Sequence, residues 1–69
     1  MFLGSRIVDF RLARGTTQDE LSAQLRQVGV RATTRAVYNW ETGFRIPRAD
    51  VVEEIARILK QPIKAFFTK

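Results

Sequence analysis

Arg35, Tyr38, Asn39 and Thr42 are separated by three and four residues, the spacing that gathers side chains on one side of an α-helix. Thr34 joins that side at its margin. Ala36, Val37, Trp40 and Thr33 fall on the other. The polar side holds no carboxylate. Its residue types are those that read base edges or hold phosphates. A guanidinium can bridge O6 and N7 of guanine, a carboxamide can pair with N6 and N7 of adenine, and a threonine can bind a phosphate through its hydroxyl or meet the thymine methyl with its own methyl. Singly, such residues on a polar helix face are most often just solvated, so their weight depends on the surroundings.

The surroundings are cationic. Arg31 to Arg48 contains four Arg against one acidic residue, Glu41, whereas Asp50 to Glu54 contains three carboxylates and no cation. The whole chain has 12 Lys and Arg against 7 Asp and Glu, a net charge of +5 that attracts polyanions such as nucleic acid or anionic lipid. A surface chosen only for solubility mixes its signs. Here the signs are segregated on different helices, as a polyanion-binding face requires.

Other chemistry is poorly provided for. The chain has no Cys and no His, which removes disulfides, thiol nucleophiles, His-based acid–base catalysis and the usual zinc sites. Asp50, Glu53 and Glu54 are carboxylates without such companions, so no enzyme activity, cofactor or metal is expected. The absence of Cys fits a reducing cytoplasm. No apolar run approaches the roughly 18 residues of a membrane span. Met1-Phe2-Leu3 is too short for a signal-peptide core and has no basic segment before it. The segment Lys60 to Lys69 sets Ile63, Phe66 and Phe67 among three Lys, but is too short to anchor strongly to a membrane surface.

The elements that must position the polar face are marked by Gly and Pro. A length of 69 residues, 45% of them apolar, predicts one folded domain over 1–69. Ser5 to Arg14 carries Ile7, Phe10 and Arg11 at helical spacing, and Gly15 ends it. Thr17 with Glu20 three residues on is a capping box, opening a second helix from Gln18 to about Gln27. Leu21, Leu25 and Val28 form its inward side, and Gly29 stops it. A third helix starts near Thr33, its cap, and ends at Gly43. Phe44 to Arg48 is a turn held by Pro47. The fourth helix spans about Ala49 to Lys60, with Val52, Ile55, Ala56 and Leu59 on one side. Pro62 suits the first position of a short last helix with Ile63, Phe66 and Phe67 as its apolar side. No segment alternates with period two for long enough to make a strand. The fold class is therefore all-α, a bundle of four to five short helices. Helices two and three, joined by a Gly-containing turn, make a helix-turn-helix.

The string Arg35-Ala36-Val37-Tyr38-Asn39-Trp40-Glu41-Thr42-Gly43, followed by Pro47, resembles the third-helix signature of the lambda repressor and Cro-like (XRE-type) helix-turn-helix family. Thr17-Gln18-Asp19-Glu20-Leu21 resembles that family's second-helix opening. Leu3-Gly4 with Ile7, Phe10 and Arg11 resembles its first helix. Val52, Ile55, Ala56 and Leu59, then Ile63 and Phe66-Phe67, resemble its fourth and fifth. Each motif alone is weak; together, in order, they cover almost the whole chain. The resemblance implies a sequence-specific binder of double-stranded DNA, a repressor- or Cro-like transcription regulator in the cytoplasm of a bacterial or phage-infected cell.

By the same resemblance Thr34, Arg35, Tyr38 and Asn39 fall at base-reading positions. Gln18, Thr33, Thr42, Arg45 and Arg48 fall where the DNA backbone is held. Glu41 is expected to pair with Arg11 and lock the first helix to the third. Three departures stand out. Thr33 and Thr34 stand in a row where the family often has Gln, so the target sequence is not carried over. The link to the third helix is lengthened by Arg26 to Val30, and Lys60-Gln61 replaces the usual Gly and hydrophobic residue after the fourth helix.

One short recognition helix reads only a few base pairs. A homodimer, at least on DNA, over a pseudo-palindromic operator would supply a specific address. The largest apolar cluster beyond the expected core, Ile58, Ile63, Phe66 and Phe67, is the candidate interface. The alternative is an antitoxin, restriction controller or adaptor of the same fold acting through protein–protein contacts, since a fold does not fix its use. Phe44, Ile46, Ile58, Ile63 and Phe67 are more apolar surface than a small monomer needs and would serve such a role.

Overall fold

Local capping chemistry sets the helix boundaries. In the computed structural model, which describes residues 1–68, α1 spans Ser5–Ala13, α2 Gln18–Gln27, α3 Thr34–Thr42 and α4 Ala49–Leu59, and a 3₁₀ turn follows at Ile63–Phe66. Lys69, the last cation of the basic C-terminal segment, lies outside the described residues. The capping box of α2 is complete: Glu20 N–H donates to Thr17 Oγ1 at 3.1 Å and Thr17 N–H to Glu20 Oε1 at 2.8 Å. Thr33 caps α3 by accepting from Ala36 N–H at 3.1 Å. Gly43 then ends α3 in the left-handed conformation, at φ +82°.

The end of α4 differs from the sequence expectation. Lys60 is not its last helical residue; it takes the left-handed conformation usually given to Gly, at φ +56°. Gln61 N–H still reaches back to the Ala56 carbonyl at 2.9 Å, so the turn closes without Gly. Val28 also departs from its expected inward place. It lies past the last turn of α2 and half of it is exposed, because the chain swings away at Gly29 and Val30 takes the position against the core.

The core gathers one face of every helix: Ile7, Leu21, Leu25, Val37, Val52, Ile55 and Leu59, with Ala32 from the loop before α3. That loop is ordered by its own bonds. Val30 N–H donates to the Leu25 carbonyl at 2.9 Å, and Arg26 Nη1 donates to the Ala32 carbonyl at 2.7 Å. Burying Ala32 beside α3 fixes where the third helix begins, despite the longer link.

Phe66 was expected at a dimer interface, and the structure corrects this. Its side chain is 0% exposed and its ring meets Phe10 edge-on, with centroids 5.3 Å apart. The 3₁₀ turn carries it inward because the chain termini pair: Leu3 N–H donates to the Phe66 carbonyl at 2.7 Å and Thr68 N–H to the Met1 carbonyl at 2.9 Å. Ile58 is half-buried and packs against the core. Only Ile63 and Phe67 of the expected cluster remain exposed, and Phe67 rests partly on Phe2, edge to face. Among the described residues there is no strand; one isolated antiparallel bridge joins Phe2 and Phe67. No described helix is long and apolar enough to cross a membrane.

Gly4 serves close packing rather than an unusual backbone angle. A Cβ there would lie 2.0 Å from the Trp40 carbonyl oxygen and 3.0 Å from that of Glu41. The start of α1 thus rests directly on the last turn of α3. Gly4→Ala must push the two helices apart and should cost about 1–3 kcal/mol. For a domain this small each kcal/mol is roughly 4–8 °C in Tm. A thermal melt indistinguishable from the parent would show that the two backbones do not meet in this way.

Candidate nucleic-acid interface

The third helix is braced by both helices before it. Arg11 on α1 donates through Nε to Glu41 Oε2 at 2.8 Å and through Nη2 to Oε1 at 3.2 Å. Its remaining nitrogen, Nη1, donates to the Thr16 carbonyl at 3.0 Å. Gln18, in the first turn of α2, donates through Nε2 to Glu41 Oε1 at 2.7 Å. The Arg11 and Glu41 side chains keep only 10% and 4% of their surface. Three elements therefore meet at one carboxylate. Among the described residues no buried side-chain nitrogen or oxygen is left without a partner, which is the condition under which a buried ion pair is tolerated.

With its inner side fixed by Val37 and the partly buried Trp40, α3 turns its other side outward. Arg35, Tyr38 and Thr42 are exposed and Asn39 is half-buried. The Arg35 guanidinium lies 5.6 Å from the Tyr38 ring centroid, a cation–π contact that orients it along the helix surface. Thr42 Oγ1 donates to the Asn39 carbonyl at 3.3 Å, and Arg45 N–H donates to that same carbonyl at 3.1 Å. The end of α3 and the loop after it are thereby held together.

Thr34 differs from its neighbours on this face. Its hydroxyl donates to Asp19 Oδ1 on α2 and lies 3.4 Å from Ser22 Oγ. Gln18, too, is engaged within the protein, on Glu41. Thr33 is exposed, with its hydroxyl serving as the α3 cap.

Three further Arg lie in the loops before and after α3, on its Trp40 side. Arg31, Arg45 and Arg48, with Trp40 behind them and the carboxylates Asp50 and Glu54 at one edge, line one open cleft of about 730 Å³ between the loop before α3 and the loop after it. Arg48 meets Asp50 at 3.3 Å, but their side chains are 82% and 69% exposed, so the pair is a loose one. Arg45 lies over the Phe44 ring at 5.6 Å. Phe44 and Ile46 are 72% and 73% exposed, large apolar side chains in water beside Arg45.

Asp19 is the residue of this region that the sequence did not single out. It could have been noticed because α3 has no acidic residue in its own first turn, and Asp19 sits beside Gln18 at the start of the helix that packs on it.

The helix-turn-helix family model matches residues 7–66. The chain belongs to the Cro/C1-type helix-turn-helix family. Its bundle has the lambda repressor-like fold, with α2 and α3 as the helix-turn-helix pair. No curated protein and no solved structure gives a significant match to the chain. The Cro/C1-type helix-turn-helix is a DNA-binding domain of the transcription-regulator kind, with double-stranded DNA as its partner, and the family is not typically enzymatic.

Proposed function

We propose that this chain is a sequence-specific repressor- or Cro-like regulator that reads the major groove of duplex DNA with α3. The observation that carries the reading is the outward side of α3: Arg35, Tyr38, Asn39 and Thr42, free of carboxylates, with Arg31, Arg45 and Arg48 in the loops before and after the helix. Arg35 and Asn39 read bases, with Tyr38 and Thr34 beside them. Gln18, Thr33, Thr42, Arg45 and Arg48 hold the sugar–phosphate backbone on either side. Residues 1–69 act as one DNA-binding domain, in the cytoplasm and at the nucleoid of a bacterial or phage-infected cell.

On DNA the working unit is a two-fold homodimer over a pseudo-palindromic operator. Half-sites then sit about one helical turn apart, roughly 34 Å. With Phe66 committed to the core, the contact between copies draws on Ile63 and Phe67, which are 42% and 39% exposed, and on the outer edge of Ile58. A second reading, a partner-protein adaptor, antitoxin or restriction controller, is favoured by one observation: Phe44 and Ile46 are exposed beside the recognition helix.

Arg35→Ala tests the first reading. A base-reading Arg contributes about 1–3 kcal/mol of discrimination. The variant should lose roughly that much on the preferred duplex, little on a random one, and its preference at one base pair. Gln18→Ala should weaken binding to all duplexes alike. Equal losses on preferred and random duplexes for Arg35→Ala would make it a phosphate contact instead.

A further inference from the structure

We propose that Asp19 is a specificity-determining residue: by taking the hydroxyl proton of Thr34 it makes the start of α3 a hydrogen-bond acceptor, so that the base read there carries an exocyclic amino group, adenine N6 or cytosine N4. The inference rests on the reading that α3 enters the major groove.

Proton accounting carries it. A threonine hydroxyl has one proton and two lone pairs, and a carboxylate has only acceptors. The Thr34 proton goes to Asp19 Oδ1. Ser22 Oγ, the other near neighbour, donates to the Asp19 backbone carbonyl at 2.8 Å, so its proton is also committed. Thr34 Oγ1 therefore offers lone pairs, and the exposed Asp19 carboxylate beside it offers more.

Charge works in the same direction. Thr34 is the first residue of α3, and α3 has no carboxylate of its own in its first turn. The positive end of the helix, which would otherwise invite a phosphate, already faces the negative charge of Asp19. A phosphate is disfavoured at the Thr34 hydroxyl itself, leaving the backbone contact to Thr33 beside it, and a base edge that donates is favoured at Thr34. In the major groove only adenine and cytosine present a donor; guanine offers N7 and O6, and thymine offers O4 and a methyl group. The pair thus discriminates by what it lacks: with no proton to give, it rejects guanine and thymine edges.

Asp19 could instead serve only to stabilise the end of α3. That role would alter Tm and leave base preference untouched, so the test reads preference. Binding-site selection from random duplexes is run on the parent, Asp19→Ala, Thr34→Val and Asp19→Asn, with thermal melts and random-duplex salt titrations alongside. The parent should select one base pair at one position of each half-site by roughly fivefold to tenfold in affinity, and replacing its adenine or cytosine by the analogue lacking the exocyclic amino group should abolish that preference. Asp19→Ala and Thr34→Val should each relax that same position and no other. Asp19→Asn keeps an oxygen that accepts the Thr34 proton but adds an amide donor and removes the charge, so it should admit guanine or thymine at that position and no other. If Asp19→Ala selects the parent's base at every position, or relaxes a different position from Thr34→Val, the inference fails while the major-groove reading stands. If the parent selects no sequence at all, although it still binds random duplexes in a salt-dependent way, the reading beneath it fails as well.

Discussion

Glu41→Ala should leave little folded protein at ordinary temperature. The substitution removes the acceptor for two Arg11 nitrogens and for Gln18 Nε2 at once, in a site where Arg11 is only 8% exposed. Removing one partner of a buried pair strands the other charge, at a cost of about 3–5 kcal/mol. Domains have about 0.05–0.15 kcal/mol of stability per residue, so this chain has roughly 3.5–10 kcal/mol to lose, and its small core puts it toward the low end. The cost comes from the orphaned guanidinium and not from a large net gain of the pair itself. Replacing both partners with apolar residues of similar size, Arg11→Met with Glu41→Leu, should therefore be less damaging than Glu41→Ala alone. Urea or thermal unfolding of the three proteins checks this. A Glu41→Ala variant that melts like the parent would mean that the pair does not hold α1 to α3.

The largest effect on binding should come from salt. Arg31, Arg45 and Arg48 line one cleft beside α3, and the weak surface pair of Arg48 with Asp50 leaves that guanidinium free to move to a phosphate. With each neutralised phosphate adding about −0.9 to the slope of log K against log salt, three per protomer give roughly −2.7, and a pair of protomers about −5.4. A fourfold rise in salt should then weaken a protomer by roughly 40-fold and a dimer by roughly 2000-fold. Titration of a duplex between two salt concentrations measures the slope. A slope near zero would remove phosphate contacts from the account and favour the partner-protein reading through Phe44 and Ile46.

What could be read from the chain before its structure was local. The Thr17–Glu20 capping box, the Thr33 cap and the stops at Gly15, Gly29 and Gly43 involve residues within a few positions of one another. Their chemistry fixes the helix ends almost alone. The split of α3 into an inner and an outer side is likewise a matter of periodicity. The pairing of Arg11 with Glu41, 30 residues apart, was legible only through the family resemblance. Three features were not legible. Phe66 belongs to the same apolar cluster as Ile63 and Phe67, and composition cannot say which of them the terminal pairing turns inward. Gly4 fits an ordinary helix start, and its need to lack a Cβ appears only once α3 is laid across it. Asp19 and Thr34 are 15 residues apart on different helices, so their shared proton follows from packing. Lys60 in the left-handed conformation shows the limit of the Gly rule: the helix closes there because Gln61 still finds its carbonyl.

The most direct measurement of the central claim, that α3 reads duplex DNA as half of a symmetric pair, is binding-site selection from random duplexes with the parent protein at two salt concentrations. The account predicts enrichment of a two-fold symmetric sequence with half-site centres about one helical turn apart. The same sequence should emerge at both salts, with less total DNA retained at the higher one. Retained DNA with no enriched sequence, or a single asymmetric site bound by one protein, would contradict it.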